Sequence, residues 1–244
     1  MDFPNLHQKL ADCDALVFFD MEATQFSREG ISIGCVIVPV SLTNGNFKIV
    51  GNEITYTSLI KSHKKIGKLV TNLTGITEEK LSEEGRDFDL VLKEIIDILR
   101  SFKKKTYISY GHGDIGILEA TIDKKQEYQV EFLQHIKKNY LDFYSYLKQF
   151  IVDKKGQALS VEKLISFYGI DKTLTLHDPL SDSVYLKKIF FSFICNNEKT
   201  VDDVMGCFKN NRGMNSVWKK LSFLVLEQGK ATTEDLRNLI KLAL

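Results

Sequence analysis

The sequence predicts an α/β fold, a mixed five-stranded central sheet flanked by helices, with a small helical extension at the C-terminal end. Two observations predict it. Runs rich in apolar and β-branched residues crowd the first quarter of the chain and are joined by short turns, as in an antiparallel meander. Beyond them the apolar period becomes helical, and strands then alternate with helices.

The elements follow in order. Ala15 to Ala23 (ALVFFDMEA) is apolar except at two positions and reads as a strand buried on both faces. Ile31 to Val40 is β-branched-rich and reads as a second strand, after a turn ending at Gly30. A third strand is expected over Lys48 to Ile60, after the turn signal Thr43-Asn44-Gly45-Asn46. Phe88, Val91, Leu92, Ile95, Ile96 and Leu99 recur at helical spacing, which predicts an amphipathic helix over Phe88 to Phe102. A strand at Thr106 to Tyr110, a helix at Asp114 to Ile122 and a short strand at Tyr140 to Phe143 come next. Helices at Ser160 to Tyr168, with Ser160 as N-cap, and at Pro179 to Cys195 close the main unit. The polar stretch Asn196 to Lys199 reads as a boundary, dividing the chain into residues 1–195 and an extension, 196–244, with helices at Val217 to Glu227 and Thr233 to Leu244.

Composition excludes several classes. With 33 Lys+Arg against 32 Asp+Glu, global charge announces no polyanionic partner, so nucleic-acid binding would need local clusters. The N-terminus lacks a basic start followed by an apolar stretch, and the apolar runs are too short to span a bilayer. Cys13, Cys35, Cys195 and Cys207 show neither zinc spacing nor a disulfide framework, so reduced thiols and a cytoplasmic location are expected, with no membrane association.

Three places carry chemistry. Asp20 and Glu22 stand at i and i+2 of a strand, hence on one face, within an otherwise apolar run. Burying two carboxylates side by side is costly unless a metal or counter-charge is present; a solvated strand end is the plainer alternative. In His177-Asp178-Pro179-Leu180-Ser181-Asp182, Asp178 suits an N-cap, which puts His177 just outside the helix and Asp182 one turn inside it. Asp182 could equally serve the helix dipole alone. Tyr110-Gly111-His112-Gly113-Asp114 joins a strand to a helix; its glycines permit a sharp turn, Asp114 is either a cap or a ligand, and His112 is a rival catalytic histidine. Four carboxylates converging from different elements would let two divalent cations bind roughly 4 Å apart, as in-line phosphoryl displacement requires. Oxygen donors without thiols favour Mg²⁺ or Mn²⁺, and a nearby His can take the proton of the attacking water.

In this order the residues resemble the DEDDh 3′–5′ exonuclease superfamily, of the RNase T and DNA polymerase III epsilon type: Asp20-x-Glu22, a distant Asp114, then His177-x4-Asp182. Phe19 to Thr24 resembles the first motif and Leu73 to Thr77 the loop before the first long helix. Ser109 to Asp114 is similar to the second motif of the KapD/Eri-like branch, with Tyr110 where Trp is usual. Pro179 replaces the commoner Ala of the third motif. The resemblance spans about residues 14–195 and implies an RNase H-like fold, metal ligation by Asp20, Glu22, Asp114 and Asp182, and His177 as general base. It further implies release of nucleoside 5′-monophosphates from single-stranded RNA or DNA 3′ ends by a two-metal mechanism, with the branch tilting the substrate toward RNA. By the same analogy Met21, Ala23 and Thr24 line the pocket of the terminal nucleotide with Thr74 and Ile76 nearby, although the apolar ones serve equally well as core. Lysine clusters at Lys61 to Lys68 and Lys103 to Lys105 could hold phosphates or be plain surface. A polymerase proofreading subunit would share this chemistry, its extension docking a protein partner. A non-cleaving nucleic-acid-binding module would share the fold, but such proteins usually lose a ligand or the base, and all five positions are kept here.

Overall fold

A computed structural model describes residues 6, 10, 12–43, 46–153, 155–195, 197–210 and 232–243. Its axis is strand β1 (Ala15–Ala23), apolar and buried through Phe19. β1 pairs antiparallel with the long β2 (Gly30–Thr43) on one side and parallel with β5 (Lys105–Ser109) on the other. β3 (Asn46–Ile49) and β4 (Ile54–Leu59) each pair antiparallel with a different stretch of β2, and β6 (Tyr140–Asp142) pairs parallel with β5. The result is a mixed six-stranded sheet among the described residues. The expected third strand is two strands, because the chain leaves the sheet around Gly51 before returning along β2.

Alternation of side chains divides the core into two layers. Leu16, Phe18, Val36, Val38 and Val40 face α8 (Pro179–Cys195), meeting Phe190 and Phe193. Val17, Phe19, Cys35 and Ile37 face α3 (Phe88–Leu99), α4 (Gly113–Thr121) and α5 (Glu127–Lys138). Phe18 lies edge-on to Phe190 at 5.3 Å, and Phe143, at the start of α6 (Phe143–Leu147), packs on Phe190 at 5.2 Å. α7 (Val161–Tyr168) begins at Ser160, whose side chain accepts from the Lys163 N–H, the predicted N-cap. Two short helices, α1 (Lys68–Thr74) and α2 (Glu78–Glu84), were not expected from the sequence, nor was α5. α1 buries none of its residues and α2 only Leu81, so no apolar stripe announced them.

Of the polar segment expected as a boundary, Asn197 to Lys199 are helical. α9 (Asn197–Asn210) starts two residues after α8 ends, and its Val201 and Val204 join Leu236 and Ile240 of α10 (Thr233–Ala243) in the same core layer as Phe190. The helix expected over Val217 to Glu227 lies outside the described residues. No described helix is long and apolar enough to cross a membrane, and Cys13, Cys35, Cys195 and Cys207 are all free thiols.

Candidate active site

The last residues of β1 stay in the sheet but lose their apolar cover. Asp20 pairs with Gly34 and Glu22 with Ser32, so both acids extend the row of Leu16 and Phe18 toward the first turn of α8. Gly34 makes that approach possible. A Cβ there would lie 2.2 Å from the Leu180 backbone nitrogen, so only a glycine lets the helix start this close to the strand. Ser183 fixes the docking by donating its hydroxyl to the Gly34 carbonyl, 3.0 Å away. Neither residue was singled out from the sequence. An isolated glycine inside a β-branched run is the signal that could have found it.

The approach to α8 is built by Asp178 and His177. The Asp178 carboxylate accepts from the backbone N–H of Ser181 at 2.9 Å and from its hydroxyl at 2.7 Å, which makes Asp178 the cap. His177 has φ 61°, a left-handed conformation, and is exposed, while its N–H donates to Asp182 Oδ2 at 3.0 Å. Asp182 Oδ1 is buried without a hydrogen-bond partner among the described residues. Donor atoms of Glu22, His177 and Asp182 lie within 4.8 Å of one another.

Asp114 arrives from the other layer. It sits in the first turn of α4, but the cap position belongs to His112, and the Asp114 carboxylate instead reaches across to accept the Met21 N–H at 3.0 Å. Gly111, with φ 108°, turns the chain between β5 and α4 so that this reach is possible. His112, the rival histidine, is exposed, and its Nε2 lies 3.2 Å from Asp142 at the end of β6.

Electrostatics confirm that these carboxylates crowd one another. Burial first, then the charges of Asp114, Asp182 and Glu22, pushes the Asp20 carboxyl well above its ordinary range. Glu22 is pushed up to about 7, by burial and then by Asp182 and Asp114. Asp114 and Asp182 are raised by burial too, although the Met21 N–H pulls the first back and the His177 N–H the second. Such a cluster holds its protons tightly while it is empty of positive charge, and gives them up when a cation sits among the carboxylates. Carboxylate oxygens without thiols, one of them an orphaned buried oxygen on Asp182, with one imidazole beside them, fit a hard divalent ion.

The expected nucleotide contacts divide. Thr74 and Ile76 line a cavity of about 380 Å³ together with His177 and Pro179. Met21 is core on the opposite face of β1, so only its backbone turns to the site. Thr24 is buried and holds the turn after β1, with its Oγ1 2.6 Å from the Ser27 hydroxyl and accepting from the Glu29 N–H. Ala23 is half-buried at the end of β1, and no contact of its side chain defines a role. Lys103 to Lys105 sit at the far end of the sheet, where Ala15 pairs with Lys105; Lys104 binds Asp12 and Lys105 donates to the Phe102 carbonyl. That cluster locks the base of β1 and is remote from the acids. Lys61 to Lys68 is different, since the Gln25 N–H donates to the Ile66 carbonyl and so ties this segment to the turn after β1.

No family model matches the sequence, and comparison with curated proteins gives no match either. Solved structures do match in fold. The nuclease domain of 3′hExo, a DEDDh family member bound to rAMP, superposes with a TM-score of 0.56 at 18% identity, over 76% of this chain and 94% of that one. A full-length 3′-exonuclease gives 0.57 at 17%, over 75% and 61%, and cell-death related nuclease 4 (CRN-4) gives 0.54 at 17%, over 75% and 64%. The chain therefore has the RNase H-like fold of DEDDh nuclease structures, as the residue pattern led one to expect.

Proposed function

We propose that this chain is a DEDDh-type, metal-dependent 3′–5′ exonuclease that hydrolyses phosphodiesters at the 3′ end of single-stranded nucleic acid and releases nucleoside 5′-monophosphates. The observation that carries the reading is convergence. Asp20 and Glu22 from β1, Asp114 from α4, Asp182 from α8 and His177 from the loop before it meet at one edge of this fold.

In this reading Asp20, Glu22, Asp114 and Asp182 hold two Mg²⁺ or Mn²⁺ ions, which would polarise the phosphoryl oxygens and lower the pKa of a bound water. The chain's own contribution is positional. Gly34 and Ser183 seat α8, Asp178 caps it, and the Met21 N–H orients Asp114. His177, exposed and held by its backbone to Asp182, takes the proton of the attacking water and passes it to solvent. The cavity beside His177, Thr74 and Ile76 is the natural seat for a nucleotide next to the acids. Phe26, 82% exposed, and Leu69 and Leu73 of α1, 58% and 51% exposed, lie on two segments joined by the Gln25–Ile66 hydrogen bond and offer apolar surface for bases.

RNA is placed ahead of DNA, supported by the rAMP bound to 3′hExo and by a second solved structure of this fold, of a 3′-exonuclease in 3′-end specific recognition of a histone mRNA stem-loop. Residues 1–195 are taken as the catalytic unit and 196–244 as an elaboration that could dock a protein partner, its described helices sharing the core of that unit.

The test is digestion of matched 3′-end and 5′-end labelled single-stranded RNA and DNA with Mg²⁺, Mn²⁺ or EDTA. Stepwise loss from the 3′ end that EDTA abolishes is expected, faster on RNA. A folded protein that binds these strands but cuts neither with any metal would be a binding module instead.

A further inference from the structure

The face of the sheet that carries Asp20 and Glu22 does not end at them. Glu22 pairs with Ser32 and Ser32 with Leu59; Asp20 pairs with Gly34 and Gly34 with Thr57. The row Leu59, Thr57, Thr55 on β4, continued by Glu53, therefore lies on the active-site face, alongside α8. Two cavities open along this row. The first, of about 380 Å³, contains His177, Pro179 and Thr57. The second, of about 650 Å³, is lined by Glu53, Ile49, Lys187, Lys188, Phe191 and Lys199 among others. From Thr57 to Glu53 is about 13 Å along an extended chain, and from Pro179 to Lys188 about 13–14 Å along a helix axis. Strand and helix thus carry both cavities in step, as two stations along the seam between α8 and β4.

The stations differ in charge. At the first, Arg86 is committed to Glu94, and Lys80 shares the lining with Glu84 and Asp178. At the second, three lysines stand against one glutamate. Lys187 is spent on Glu53, 2.6 Å away, which closes the wall between α8 and the segment before β4. Lys188 and Lys199 have no ion-pair partner among the described residues, although Asp203 lies near enough to feel the charge of Lys199. Each ammonium instead stands over a tyrosine ring, Tyr185 at 5.9 Å and Tyr168 at 5.8 Å. Ile49, 47% exposed, and the half-buried Phe191 give the station an apolar floor. Free cations above apolar and aromatic surface are what a single strand needs, phosphates on the lysines and bases on the floor. A chain of net charge +1 has no general positive field, so the cations here act locally.

We infer that the strand upstream of the cleaved 3′ end lies along this seam between α8 and β4, gripped at its far end by Lys188 and Lys199. The identity of the occupant rests on the exonuclease reading; the path rests on the geometry.

The experiment compares wild type with a Lys188→Gln/Lys199→Gln double variant, on a long single-stranded oligonucleotide and on a dinucleotide. Affinity of the metal-free protein for the long strand, by fluorescence anisotropy across a salt series, should fall several-fold. The slope of log K against log salt should become shallower by about 1.4, at about 0.7 per lost phosphate contact on a single strand. Dinucleotide kcat/KM should not change. Unchanged long-strand affinity, an equal loss on the dinucleotide, or a wild type that binds no long strand would overturn the inference. If wild type binds and the double variant loses grip while neither ever cuts, the exonuclease reading fails and the path stands. If wild type cuts and the variant binds normally, the reverse holds.

Discussion

Strand β1 carries two halves on one face. Leu16 and Phe18 lie fully buried against α8 and its aromatics; Asp20 and Glu22, the next two in the row, face the first turn of the same helix with carboxylates. Backbone, register and partner helix are shared, so the halves differ only in side-chain chemistry. The apolar half gains from every contact it buries. The acidic half loses, because its charges are desolvated and repel one another, and Gly34 brings α8 closest at the costly end. A fold that wanted only stability would have continued with valine. Electrostatic cost of this kind, offset by the core beside it, supports the divalent-cation site proposed above.

The largest expected effect breaks the acidic half. Asp20→Asn should reduce cleavage by on the order of 10³-fold or more, since a lost metal supplies several kcal/mol and each 1.36 kcal/mol is tenfold. Without metal, the same variant should melt at or above the wild-type temperature at neutral pH, because it removes a carboxyl that burial and its neighbours hold far from its ordinary range. A variant that cuts normally would remove Asp20 from the metal site, and one that unfolds would show the carboxylate to be structural. Breaking the apolar half should do the opposite. Phe18→Ala is expected to cost about 3–5 kcal/mol in urea unfolding, with metal still bound by the folded fraction. Should the two substitutions move stability in the same direction and by the same amount, the contrast between the halves is wrong.

His177→Asn comes next. Asn tolerates the left-handed backbone that His177 adopts, so the loop should survive. Turnover should drop by about 10²–10⁴ with metal-dependent stabilisation largely kept. Unchanged turnover would move the general base to another group, and His112 would be the next to substitute.

How much of this was legible depends on what broke the local pattern. Asp20 and Glu22 stood out because two acids interrupt an apolar run, and His177, Asp178 and Asp182 because Asp-Pro marks a helix start. The sheet's centre and α8 followed from strand and helix periods. Helices α1 and α2 did not, since α1 buries no side chain and α2 one, leaving nothing periodic to read. α5 was missed because its buried face includes a polar member, Gln129, whose amide serves Asp89 and the Asp123 N–H. Gly34 shows in the sequence only as an isolated glycine in a β-branched run, which does not say what it is for. Its importance lies in Leu180, remote in sequence, and only the packed structure states that proximity. The same holds for the seam, whose two sides are set by register rather than by any motif.

The smallest effect probes the acidic half without any mutation. Glu22 has a folded pKa of about 7 against an ordinary value of 4.5, raised by burial first and by Asp182 and Asp114 after it. For an acid raised in this way the folded state binds more protons than the unfolded one between those two values. The contribution is fully present below the unfolded pKa and is lost as pH rises through the folded one. Asp20, Asp114 and Asp182 shift in the same direction and reinforce it. The metal-free protein should therefore lose melting temperature as pH rises from about 5 to about 8, at roughly 2–4 °C for each kcal/mol lost in a chain of this size. Mg²⁺ or Mn²⁺ should restore it, most at the alkaline end where the carboxylates are charged and free to bind. In Asp20→Asn both the pH slope and the metal's lift should shrink together, whereas in Phe18→Ala both should persist on a lower baseline. A flat melting temperature across that window in the metal-free protein would mean that the acids are solvated, and that the two halves of β1 are less different than the buried geometry makes them.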